Sequence, residues 1–84
     1  MLRICYFASL RETLGADSQE MPLPEGVATV GALAEHLAAQ GDERWQLLRD
    51  DKRVMTAVDQ TMVERDHPLN GDEEVAFFPP VTGG

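Results

Sequence analysis

Apolar and polar positions alternate from the start of the chain. In Leu2-Arg3-Ile4-Cys5-Tyr6-Phe7, the side chains of Leu2, Ile4 and Tyr6 fall on one face and Cys5 and Phe7 on the other. That two-residue period, carried by β-branched and aromatic side chains, predicts a strand. Ser9 with Glu12 three residues later has the form of a capping box, which predicts a helix of a turn or two closed by Gly15. Gln19 to Leu23 reads as a second strand, confined to an edge by Pro22, and Pro24-Glu25-Gly26 as a turn. The period then changes. Val30, Leu33, Ala34, Leu37 and Ala38 recur at helical spacing, with Thr29 placed to cap the start and Gly41 to end it. Asp42 is placed to cap a further short helix with Trp45 and Leu48 on one side.

Beyond the polar turn Asp50-Asp51-Lys52, Val54 to Val58 and Thr61 to Val63 read as strands. His67 to Asp72 combines a proline with an Asn-Gly turn, and Glu74 to Phe78 is the last strand, stopped by Pro79-Pro80. In it Val75 and Phe77 face one side, Ala76 and Phe78 the other. Strand, strand, helix and further strands predict an α+β fold, a mixed sheet with one main helix on one face, as in the β-grasp (ubiquitin-like) folds. The near-continuous apolar character of the first and last strands predicts that they pair in parallel at the centre. Residues 1–80 are expected to form the domain and 81–84 a flexible tail. One helix covers one sheet face, so Phe7, Met55 and Phe78 are expected as an exposed apolar patch on the other, which marks a binding surface. The alternative is that loops or the Trp45 segment cover it.

Charge narrows the partners. Seven Lys and Arg stand against 15 Asp and Glu in 84 residues, a net charge of −8. Nucleic acid and anionic membrane surfaces both select cationic proteins, so neither is expected as a partner. The concentration Glu64, Asp66, Asp72, Glu73, Glu74 reads either as a solvated face or as a device that steers the domain toward basic partners. No signal-peptide block or membrane span is apparent, which predicts a cytoplasmic location. Cys5 is the single cysteine, so no internal disulfide or Cys/His zinc site is expected. His36 and His67 lack a second ligand at metal spacing, and no metal ligand set is assigned.

The chain ends Val81-Thr82-Gly83-Gly84, directly after Phe78-Pro79-Pro80. Two glycines add nothing to a core, but they let a chain end enter a narrow channel and present its carboxylate to a nucleotide in another protein. A carboxylate is a poor acyl donor until activated, for example as a mixed anhydride with AMP. Phe7-Ala8-Ser9-Leu10-Arg11-Glu12, Ala57-Val58-Asp59-Gln60, His67-Pro68-Leu69 and the block Gly71 to Gly84 together resemble the MoaD-type small subunit of molybdopterin synthase, a family of ubiquitin-like sulfur carriers. The resemblance runs along the whole chain and is most specific in the final block.

That resemblance implies that Gly84, the catalytic residue, is adenylated by an ATP-using, ubiquitin-activating-type adenylyltransferase. It implies conversion of the adenylate to a thiocarboxylate with sulfur derived from a persulfide. It implies no bound cofactor, since ATP is consumed by the activating enzyme. By the same resemblance the charged carrier docks on the large subunit, in a heterotetramer of two small and two large chains. It inserts its tail and donates sulfur to cyclic pyranopterin monophosphate, building the dithiolene of molybdopterin. The chain is then an enzyme component, the sulfur-donating subunit of a sulfurtransferase, with catalytic side chains in the large subunit. Phe7, Phe78, Pro79, Pro80, Val81, Thr82 and Gly83 are the expected partner-binding residues. One departure stands out, because Asp59 occupies a position where many relatives carry Asn.

Other functions share these features. A sulfur carrier for thiamine synthesis has the same Gly-Gly end, a protein modifier would link through Gly84 to lysines, and a plain interaction domain would have an inert tail. Cys5 as a persulfide carrier is a rival route for sulfur, but its place inside the first strand favours a buried, inert thiol.

Overall fold

The computed structural model describes residues 1–80. The expected tail, 81–84, lies outside the described residues. Within them the elements are β1 (Leu2–Tyr6), α1 (Ala8–Leu14), β2 (Ser18–Met21), α2 (Val30–Gln40), a 3-10 helix (Glu43–Arg49), β3 (Met55–Val58), β4 (Thr61–Met62) and β5 (Glu74–Phe78). The strands form one sheet in the order β2-β1-β5-β3-β4. β1 and β5 pair in parallel at its centre, with Ile4 opposite Val75 and Tyr6 opposite Phe77, as their apolar composition predicted. β2 is an edge strand antiparallel to β1, and it ends before Pro22.

The core lies between the sheet and the helices. Leu2, Ile4 and Tyr6 of β1 and Val75 and Phe77 of β5 meet Leu10 and Leu14 of α1, Val30, Leu33, Ala34 and Leu37 of α2, and Leu48 of the 3-10 helix. The five α2 positions read from the spacing are its five buried residues, and the Thr29 hydroxyl accepts from the Ala32 amide at 3.1 Å. Asp42 caps the 3-10 helix by accepting from the Arg44 amide. Trp45 packs edge-on against Tyr6 with ring centroids 5.4 Å apart, on the core side of the sheet. It therefore does not cover the opposite face.

The capping box expected at Ser9 does not form. The Phe7 amide still donates to the Phe77 carbonyl at 3.1 Å, which keeps the chain in the sheet through residue 7. Ala8 then turns at φ 55°, so Ser9 already lies in the first turn of α1 and Phe7 takes the cap position without a side-chain bond. The helix does end as expected, at Gly15 with φ 70°.

Candidate functional site

Strand alternation and register place three rows of side chains on the helix-free face. The middle row runs Cys5, Ala76, Ala57 and Met62, all in register across β1, β5, β3 and β4. The row nearest the exit of β5 holds Phe78 opposite Met55. Phe7 continues β1 beside Phe78, one step beyond the Tyr6–Phe77 pair. The third row, Arg3 opposite Glu74, carries charge. Small side chains thus occupy the centre, and larger apolar ones stand around it. Of the patch expected from the sequence, Phe7 is 48% exposed but Met55 and Phe78 are half-buried. Met62 adds a side chain that is 59% exposed, whereas the large side chains on the other face are fully buried. Such a surface gains free energy when another protein covers it.

Phe7 and Phe78, both named from the sequence, are brought together at the end of the sheet where β5 leads into half-buried Pro79 and exposed Pro80. Met55 joins them. Val81, Thr82, Gly83 and Gly84 lie outside the described residues. Met62 was not singled out by the sequence; its only signal was a place two residues after the Asp59-Gln60 turn. Cys5 is 9% exposed beneath this face, a free buried thiol.

Electrostatics separate one end of the sheet from the other. At the end remote from Phe78, the Glu73 carboxylate accepts from the amides of Asn70 at 2.7 Å, Gly71 at 2.8 Å and Asp72 at 3.1 Å. Its desolvation alone would raise the carboxyl, but those backbone donors hold it below the usual glutamate range. Asp59, at φ 49° in the β3–β4 turn, accepts from the Glu74 amide. Since the side chain acts there as an acceptor, aspartate and asparagine both serve, and the departure from Asn leaves this contact intact. Tyr6 lies under the centre of the sheet. Burial pushes its hydroxyl up to about 12, against the opposing effect of the Gln19 side-chain hydrogen bond.

Arg65 is a second residue the sequence did not single out. Its guanidinium donates to the Leu48 carbonyl at 2.7 Å and the Val54 carbonyl at 2.8 Å, tying the end of the 3-10 helix to the entry of β3. Desolvation lowers its pKa, against nearby Asp51, Asp50 and Glu35. Among the described residues no group of three or more His, Cys, Asp or Glu is arranged to hold a metal ion. Among them also, no helix is long and apolar enough to cross a membrane. What the described face offers is an apolar surface suited to recognition, beside the end of β5 where it leads into Pro79 and Pro80.

Comparison with known proteins agrees with the resemblance seen in the sequence. Residues 4–84 match the ThiS family. The molybdopterin synthase sulfur carrier subunit of Escherichia coli is 49% identical over 84 residues, with 100% of both chains covered. That of Haemophilus influenzae is 39% identical, again with 100% of both chains covered. The crystal structure of small archaeal modifier protein 1 from Haloferax volcanii superposes with a TM-score of 0.73, covering 95% of this chain and 97% of that one. At 23% identity it establishes the fold, a ubiquitin-like β-grasp. The chain belongs to the ThiS family, among the molybdopterin synthase sulfur carrier subunits.

Proposed function

We propose that this chain is the sulfur carrier of molybdopterin synthase and delivers sulfur from the carboxyl group of Gly84. The observation that carries the reading is the full-length correspondence with the Escherichia coli sulfur carrier subunit, which covers both chains completely. The fold supports it by running its central strand β5 straight into Pro79, beside an unpartnered apolar face.

In this reading an ATP-using activating enzyme of the ubiquitin-activating type adenylates the Gly84 carboxylate and releases pyrophosphate. The terminal sulfur of a persulfide then attacks the acyl adenylate and displaces AMP, giving an acyl disulfide. A second thiol reduces that S–S bond, releasing the thiocarboxylate and leaving a disulfide on the sulfur donor. The resulting thiocarboxylate is a soft nucleophile, which the carboxylate is not. No resident cofactor is needed. The large subunit covers Phe7, Met55, Met62 and Phe78 and receives Val81 to Gly84, two of whose residues have no side chain to obstruct a channel. There the carrier gives up its sulfur to cyclic pyranopterin monophosphate, and two charged carriers are consumed per dithiolene. The pair of sites fits a heterotetramer of two small and two large subunits, located in the cytoplasm. The chain's own contribution is to position one atom, so its role as an enzyme is that of the sulfur-donating subunit of a sulfurtransferase.

The test is a reconstituted synthase assay with activating enzyme, sulfur source and large subunit. Addition of one residue after Gly84, or its deletion, abolishes dithiolene formation, while Cys5→Ala keeps it. Sulfur transfer that survives loss of Gly84 but fails in Cys5→Ala overturns the proposal.

A further inference from the structure

Beside the apolar face, at the open side of β3 and β4, lies a cleft of about 460 Å³. Met55 and Val63, both half-buried, line it together with exposed Met62, and Asp51, Glu64 and Asp66 stand exposed around them. Met55 and Met62 also belong to the helix-free sheet face, so cleft and face form one continuous surface. The polar groups of the walls are already satisfied. The Thr56 hydroxyl donates to the Val63 carbonyl at 3.0 Å, and Arg65 is committed to two backbone carbonyls. The three carboxylates differ from these. All three residues are exposed and, among the described residues, none is within ion-pair distance of a cation. Asp51 faces the charge of Arg65, which also lines the cleft, so Glu64 and Asp66 carry the unbalanced negative charge.

The geometry points to a docking pocket for one lysine or arginine side chain of the large subunit, inserted next to the apolar contact on Met62. The occupant follows from the two kinds of lining. The apolar side chains suit the methylene stem of a long basic side chain, and the exposed carboxylates suit its charged head, the amphipathic form that lysine and arginine share. An aliphatic side chain would leave the carboxylates desolvated without a partner, and an acidic one would be repelled. This rests on the proposed function and deepens it, because it adds to a non-directional apolar contact a charge that fixes orientation and speeds encounter.

The experiment measures association of the full chain with the large subunit of molybdopterin synthase by stopped flow, at low and at physiological ionic strength. Asp51→Asn, Glu64→Gln and Asp66→Asn are combined in one variant. Glu12→Gln, Glu25→Gln and Glu43→Gln, all exposed and away from the cleft, form a control with the same change in net charge. The cleft variant is expected to associate about fivefold more slowly, or worse, at low ionic strength, with a flattened salt dependence; the control changes by less than about twofold. Equal slowing of both variants, which marks net charge alone, overturns the inference, as does no slowing of either. If the unmodified chain itself does not bind the large subunit, the functional reading fails with it. If it binds and the cleft variant binds equally fast, only the pocket is lost.

Discussion

Asp59 and Glu74 hold each other through two reciprocal hydrogen bonds: the Asp59 amide donates to the Glu74 carbonyl at 2.9 Å, and the Glu74 amide donates to Asp59 Oδ1 at 3.0 Å. The pair pins the β3–β4 turn to the start of β5. It also sets Asp59 beside the backbone of an acidic segment, Asp72-Glu73-Glu74.

Substitution at Asp59 therefore separates acceptor from charge. Asp59→Asn keeps an acceptor oxygen and relieves like-charge repulsion, and its stability is expected within about 0.5 kcal/mol of the parent. Asp59→Ala leaves the Glu74 amide without its partner and costs about 1–2 kcal/mol. Urea unfolding with unchanged slope is the measurement.

Arg65 gives a larger effect. Arg65→Met removes both donors from the Leu48 and Val54 carbonyls and is expected to destabilise the fold by about 2–3 kcal/mol. Arg65→Lys recovers only part of this, because a single ammonium cannot reproduce the planar fork that spans two carbonyls. Equal unfolding midpoints for the parent and the Met variant would show that the tie contributes nothing.

Glu73 links stability to acid. Its carboxyl lies lower in the folded chain than the ordinary 4.5, although desolvation opposes this, because backbone amides favour the ionised form. A group of this kind stabilises the fold fully above its unfolded pKa, and the benefit is lost as pH falls through the lowered folded value. Glu73→Gln should therefore lose less stability than the parent between about pH 6 and about pH 3, as followed by thermal unfolding across that range. Parallel curves for the two proteins would count against the contact.

The exposed face yields a binding prediction. Met62→Asp changes a side chain that is 59% exposed, so folding is expected to stay within about 0.5 kcal/mol of the parent. Its complex with the large subunit should weaken about 30-fold, the loss of one buried apolar anchor of about 2 kcal/mol. Calorimetric titration compares the two, and equal affinities would place the interface elsewhere.

The parts of the fold legible in the sequence were those where burial imposes a period. Alternation in β1 and β5 fixed which side chains entered the core, and the α2 stripe was read completely. Gly41 was placed correctly, but for a different physical reason. Its φ of −93° suits any residue, and what excludes a side chain is the Trp45 indole, which a Cβ there would strike. Ser9 misled because the cap geometry depends on where the sheet lets go of the chain, and the Phe7–Phe77 hydrogen bond holds it through residue 7. Arg65 was illegible for a related reason. Between Glu64 and Asp66 it looks like one more solvated charge, and its partners are backbone carbonyls, which leave no trace in side-chain pattern. Phe7 and Phe78 emerged from alternation alone, whereas Met62 required the register of β4 against β3.

Sulfur carriage at Gly84 is tested most directly by the intact mass of the chain, isolated with its C-terminus unmodified by any tag and incubated with its activating enzyme, ATP, a persulfide sulfur source and a thiol reductant. The predicted result is a mass gain equal to exchange of one oxygen for one sulfur, localised by fragmentation to Gly84 and dependent on ATP. An unchanged mass, an isopeptide conjugate through Gly84, or added sulfur that maps to Cys5 would contradict it.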